Sequence, residues 1–141
     1  MKRLLLLLIT TLSFITFSHA PTIEIEEDEP GYIFVQAGFS NGESAYNLPV
    51  IVVQDKNYNG AYKTWEGKLI LFEGVFDEDG SIVLPKPKTK KYTVIFNGGV
   101  GHVTEKKGIP LKKEEKDAWE KAIKEDEILG EWKDIYTGKV K

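Results

Sequence analysis

From residue 22 onward, apolar and polar side chains alternate in short runs that turn residues interrupt at close intervals, the signature of a many-stranded β protein. Residues 22–26 place Ile23 and Ile25 on one face and Glu24 and Glu26 on the other. Residues 31–39 (GYIFVQAGF) form the next strand, entered through Glu29-Pro30-Gly31 and left through Ser40-Asn41-Gly42. Residues 48–55 (LPVIVVQD) are more continuously apolar, which predicts a central strand, with Pro49 marking an edge or entry point at its start. Residues 56–66, polar and aromatic around Asn59-Gly60, read as a long loop or wide hairpin. Strands follow at 68–76 (KLILFEGVF), at 81–84 after the Asp77-Glu78-Asp79-Gly80 turn, and at 92–96 (YTVIF) beyond Pro85-Lys86-Pro87. The flexible turn Asn97-Gly98-Gly99-Val100-Gly101 then leads into a last strand at 102–105. Short strands with no helix between them predict a mainly β fold, an antiparallel two-sheet sandwich of about seven strands, over any α/β arrangement.

The period changes near the end of the chain. Residues 112–129 read as one amphipathic helix, with Ala118, Trp119, Ala122, Ile123 and Ile128 near 3.6 spacing and Glu120 placed four residues before Lys124. Gly130 ends it, and Trp132, Ile135 and Tyr136 pack as a short continuation. An apolar stripe on a helix means burial, so the tail is expected to cover an open face or edge of the sheets. The expected organisation is a leader over 1–18, a β domain over 19–107 and a helical extension over 108–141.

The leader assignment rests on Met1-Lys2-Arg3 followed by an apolar run from Leu4 through Phe17, the charged and hydrophobic parts of a secretory signal. Small residues permit cleavage after Ser18 or after Ala20. Pro21 would follow the second cut, a poor fit because its ring fixes φ and removes the N–H, so the expected first mature residue is His19. The product is expected in the periplasm or outside the cell. The whole chain of 141 residues carries 19 basic and 22 acidic side chains, a balance of −3. Losing Lys2 and Arg3 with the leader leaves 17 against 22, or −5, which argues against nucleic acid as a partner. With no cysteine, a disulfide framework, a thiol nucleophile and a thiolate metal site are all excluded. No second apolar stretch reaches the ~18 residues that a membrane span needs.

Nucleophile elbows, phosphate-binding loops, dinucleotide fingerprints and paired-histidine helix motifs are all missing from the sequence, so it is read as non-enzymatic. Its chemistry centres on its two histidines. An N-terminal His19 offers its α-amine and its imidazole to one cation, a chelate that no internal histidine makes. His102 follows a glycine-rich turn that exposes the side chain at the mouth of a strand. Pro21 lacks an N–H, so a wrap of the cation by successive backbone amides stops at Ala20. Glu24 is a further oxygen donor nearby in sequence. Asp77, Glu78 and Asp79 lack the spacing of a calcium loop and fit a hairpin turn with Gly80. Tyr46, Tyr58, Tyr62 and Trp65 make the loops 40–47 and 56–66 rich in aromatic rings, which suit a glycan or peptide surface, packing against the sheets being their plainer use.

Taken together, the expected N-terminal His19, Ala37-Gly38-Phe39-Ser40-Asn41-Gly42, the stretch from Gly74 to Gly80 closed by Pro85, and Asn97-Gly98-Gly99-Val100-Gly101-His102 resemble the periplasmic accessory component of nickel and cobalt uptake systems. The likeness covers residues 19 to about 105. It implies an immunoglobulin-like or transthyretin-like sandwich, akin to carboxypeptidase regulatory-like domains. It also implies binding of a divalent transition metal, nickel or cobalt with copper and zinc left open, through His19 and His102; it does not imply membership in a transporter complex, so a membrane transporter component stays an open partner. The chain departs from that family at Asn97, where an Asp is usual, at Phe76, where a Thr is usual, and in ending on a charged amphipathic helix. The alternative expectation is a protein- or glycan-interaction module that uses Tyr46, Tyr58, Tyr62 and Trp65 and has no metal role.

Overall fold

A computed structural model describes residues 19–127 and 130–138, so the leader and Ile128 lie outside the described residues. The alternating runs become strands β1 (Pro21–Glu27), β2 (Tyr32–Phe39), β3 (Pro49–Asn57), β4 (Thr64–Trp65), β5 (Lys68–Val75), β6 (Ser81–Pro85), β7 (Tyr92–Asn97) and β8 (Val103–Lys107). They form two antiparallel sheets, one of three strands in the order β1-β2-β6 and one of five in the order β4-β5-β3-β7-β8. The continuously apolar β3 lies centrally, between β5 and β7, as its composition predicts.

Eight strands are present among the described residues, where the pattern predicts about seven. The addition is β4, two residues inside the expected loop, which pairs Thr64 with Leu69 and Trp65 with Lys68. Glu66 at φ 48° and Gly67 at φ 78° supply the left-handed pair that a tight hairpin requires, a signal masked by the non-glycine partner.

Strand register decides what is buried. Ile23 lies opposite Ala37 and Ile25 opposite Val35, so one face of β1 and β2 turns inward while Glu24 and Gln36 turn outward. The inward residues meet Val50, Val52, Leu69, Leu71, Tyr92, Val94 and Phe96 of the other sheet, with Phe76 just beyond β5, in one apolar core. A smaller cluster of Ile51, Val53, Ile70 and Ile95, with Trp65 against it, uses the opposite face of the central strands. This explains why β3 and β7 read as unbroken apolar runs.

The tail differs from the single helix expected over 112–129. Helix α1 (Lys113–Lys124) stops early and α2 (Glu131–Thr137) follows. The stop is a Schellman closure in which Asp126, at φ 55°, donates its N–H to the Ile123 carbonyl while Glu127 donates to Ala122. An aspartate takes the left-handed position usually held by glycine. Gly130, at φ 68°, starts α2 instead of ending α1.

Trp119 of α1 fixes the tail in place. Its indole N–H donates to the Gly31 carbonyl at 3.2 Å, and its ring stacks on Tyr136 of α2 with centroids 5.4 Å apart. Gly31 is required there, since its φ is 88° and a Cβ would fall 2.0 Å from the indole nitrogen. Beneath α1, fully buried Lys86 forms ion pairs with Glu115 at 2.9 Å and with Glu27 at 2.7 Å. Glu115 also accepts from the backbone N–H groups of Gly31 and Lys112, which ties the first turn of α1 to the β1–β2 turn. No helix among the described residues is long and apolar enough to cross a membrane.

Candidate functional site

The strand ends divide the molecule into two rims. One carries the start of β1 and the loops 40–48, 76–80 and 97–102, and these loops contain Glu43, Asp77, Glu78 and Asp79 but no lysine or arginine. The other carries the acidic β1–β2 turn at 28–31 and loops 55–68, 85–92 and 107–112, in which lysines predominate.

Both histidines lie on the first rim, against the same short segment, Phe39-Ser40-Asn41. The β1 entry is laced to it, with Ala20 N–H donating to Ser40 Oγ at 3.0 Å and Ser40 N–H donating to the Ala20 carbonyl at 2.8 Å. Asn41 Oδ1 accepts from Glu43 N–H at 3.1 Å, which orients the amide so that its Nδ2 donates to His19 Nδ1. That bond leaves the Nδ1 lone pair facing the amide and places the neutral ring's proton on Nε2.

His102 arrives through the glycine turn. Gly98 N–H donates to the His102 carbonyl and His102 N–H to the Gly99 carbonyl, both at 2.9 Å, while Asn97 Oδ1 accepts from Gly99 N–H at 3.1 Å. Gly99 at φ 106° and Gly101 at φ 78° take conformations that side chains resist. The His102 ring packs edge-to-face with Phe39, centroids 6.0 Å apart, and Phe39 in turn packs on Phe96. Nδ1 stands 3.1 Å from the Val100 carbonyl, an acceptor, so it donates there and the Nε2 lone pair is left for a ligand.

The remaining expected ligand, Glu24, borders a recess that Phe39 also lines. Glu24 lies farther along β1, and Lys106 of β8 holds its carboxylate at 2.6 Å. The recess is shallow, about 340 Å³, and Thr22, Gln36, Glu43 and Asp79 line it as well. No group of three or more histidine, aspartate or glutamate side chains among the described residues is arranged to hold a metal ion. Asp77 is committed to its own hairpin, accepting through Oδ1 from the N–H groups of Asp79 and Ser81 at 2.9 Å.

The four aromatic residues do not share a surface. Tyr46, 58% exposed, sits on the histidine rim beside Phe76. Tyr58, Tyr62 and Trp65 lie beyond the other end of β3, nine residues or roughly 26 Å away. There Tyr58 packs against the main core and Trp65 against the smaller cluster, leaving Tyr62 as the exposed ring.

Sequence reading missed the chemistry of the lysine rim. Asp55 is mostly buried; its Oδ1 accepts from Thr93 Oγ1 at 2.6 Å, and its Oδ2 lies 2.9 Å from Lys107 Nζ. Lys68 stands 3.6 Å away. Burial by itself pushes this carboxyl up, but the Thr93 and Lys107 hydrogen bonds with the charges of Lys107 and Lys68 outweigh it and hold it below its ordinary value. The available signal was four lysines between Pro85 and Tyr92 in an acidic protein.

Comparison with protein-family models, characterised proteins and solved structures gives no match to this chain.

Proposed function

We propose that this chain is an exported, non-enzymatic protein that binds one divalent transition-metal ion, nickel or cobalt, at its histidine rim and serves metal uptake with a membrane transporter component. The observation that carries the reading is that the two histidines of the sequence, 83 positions apart, border the same Phe39–Asn41 segment. Nothing in local sequence requires them to share that border. His102 contributes Nε2, and a mature N-terminal His19 contributes its α-amine and Nδ1, the ring atom that closes a chelate with the amine. Asn41 then acts as the group that yields Nδ1 to the metal. Acidic loops without lysine give the rim an attractive field for a cation. The fold that goes with this reading is a transthyretin-like sandwich.

The test starts from the gene with its own leader in a secreting host, with the mature mass determined first. Calorimetric titration with nickel, cobalt, copper and zinc is expected to give one site, lost in His19→Ala and weakened about tenfold or more in His102→Ala. Equal affinity of the variants and the parent protein for every metal would end the proposal. In that event retention of a glycan or protein partner that depends on Tyr62 or Tyr46 becomes the reading to pursue.

A further inference from the structure

The lysine rim contains two adjoining recesses whose charge is opposite to that of the whole protein. One, of about 270 Å³, is lined by Asp55, Lys56, Thr89, Lys90 and Lys91. The second, of about 480 Å³, shares Asp55, Lys90 and Lys91 and adds Lys107 and Tyr92. Five lysines, counting Lys68, therefore surround a single carboxylate. That carboxylate is already engaged by Thr93, Lys107 and Lys68, so its repulsion of an anion is largely offset. Lys56, Lys90 and Lys91 are exposed and form no ion pair among the described residues.

The backbone that carries these lysines is fixed before any ligand arrives. Lys86 N–H donates to the Gly31 carbonyl and Lys88 N–H to the Tyr136 carbonyl, both at 2.8 Å, and Asp55 N–H donates to the Lys91 carbonyl at 3.0 Å. Pro85 and Pro87 restrict φ in the same run. The larger recess depends on Gly108, where a Cβ would fall 1.9 Å from the Tyr92 ring. The acidic turn Glu27-Asp28-Glu29 belongs to the other sheet at this end, with Glu27 paired to buried Lys86. An anchored backbone with ammonium groups on both sides of a shared ridge suits a ligand that carries more than one anionic group, since little order is lost on binding.

We infer that the Asp55–Lys91 ridge and its two recesses form a binding site for a soluble polyphosphorylated ligand, with Lys56 and Thr89 serving one phosphate group and Lys107 the next. Lys90 and Lys91 lie between them and serve both. The site is independent of the histidine rim and stands whether or not a metal binds there.

The secreted protein is titrated with orthophosphate, pyrophosphate and tripolyphosphate, following amide shifts by NMR and heat by calorimetry. Affinity is expected to rise in that order and to weaken with added salt. Lys90→Gln combined with Lys91→Gln is expected to weaken tripolyphosphate about tenfold or more with an unchanged urea midpoint. Lys56→Gln gives a smaller loss. Lys121→Gln with Lys124→Gln, on exposed positions of α1, leaves affinity unchanged. Equal losses in the α1 pair and the ridge pair would overturn the site, as would absence of binding to all three anions. Phosphatidylglycerol vesicles, compared with phosphatidylcholine vesicles, form the last arm. Retention by the anionic vesicles without tripolyphosphate binding would overturn a soluble ligand in favour of a membrane surface.

Discussion

Lys86 and Lys90 stand four residues apart in one proline-flanked run, yet the fold treats them in opposite ways. Lys86 is fully buried, with two carboxylates around its ammonium group, whereas Lys90 remains in water with no ion pair among the described residues. A buried ammonium requires matched charge because the interior cannot replace its hydration, so Lys86, Glu27 and Glu115 are structural parts whose positions define where α1 begins. An exposed lysine has no such obligation, and its charge remains available to a ligand. Enclosure, rather than residue type, separates the charges that hold this protein together from those that can act.

The largest effect expected from this contrast is at Lys86. Lys86→Met leaves Glu115 buried with its backbone donors alone and is expected to cost about 3–5 kcal/mol, read from the urea unfolding midpoint. Pairing it with Glu115→Leu should recover much of that loss, since a buried ion pair is often replaceable by apolar groups of similar volume. A loss at Lys86 no larger than that from Lys90→Gln would break the contrast. Gly31→Ala comes next, at about 2–4 kcal/mol, from positive φ together with the clash on Trp119.

Acid sharpens the same distinction. For Glu115, burial pushes the carboxyl up, but the hydrogen bond from Lys86, those from Lys112 and Gly31 and the Lys86 charge outweigh it, so the net shift is downward. A carboxyl lowered on folding stabilises the protein above its unfolded value, and that stabilisation is lost as pH falls through the lower folded value. The loss for Glu115 is therefore expected below its ordinary 4.5, and for Asp55 below its ordinary 3.8. Glu115→Gln should flatten the acid limb of a stability–pH curve more than Asp55→Asn. Lys107, which holds Asp55, has a side chain 69% exposed, whereas Lys86 has none of its side chain exposed. A steeper limb in Glu115→Gln than in the parent would reverse the sign and reject the clamp. Tyr136 lies nearby with a buried hydroxyl that has no hydrogen-bond partner among the described residues, and burial followed by the charges of Glu120 and Asp117 pushes it up to about 12.

How much of this was legible in sequence depends on the range of the interaction. Alternation over a few residues marks a strand because a buried face repeats every second position, so β1, β2, β5 and β7 were readable from Ile23 to Phe96. The early end of α1 was not, because Asp126 rather than glycine takes the left-handed position and Gly130 drew the boundary to itself. Trp119 was visible as a buried position on a helix, but its partner Gly31 lies 88 residues away and nothing local names it. The same limit governed the sites. His102 was marked by its glycine turn, whereas its approach to the Phe39–Asn41 segment is a property of the folded sheets. The lysine rim went unread because a charge run ordinarily signals a solvated surface, and only the register of β3 beside β7 sets Asp55, with Lys56 after it, against Lys91.

A small stability effect is expected at His102, where one ring carries both kinds of bond. Its Nδ1 is used locally on the Val100 carbonyl, and its ring packs edge-to-face with Phe39 at a half-exposed position. Losing these contacts in His102→Ala should cost under about 1 kcal/mol in urea unfolding, since no buried polar group is stranded and the Gly98–His102 backbone bonds remain. Nε2, by contrast, has no role in holding the turn, so its removal should appear only in ligand binding. His102→Ala is therefore expected to unfold almost with the parent protein while weakening nickel by about tenfold or more, the size of one lost ligand. A large stability loss with unchanged nickel affinity would place His102 with Lys86, among the groups that hold the fold, and leave the histidine rim without its second ligand.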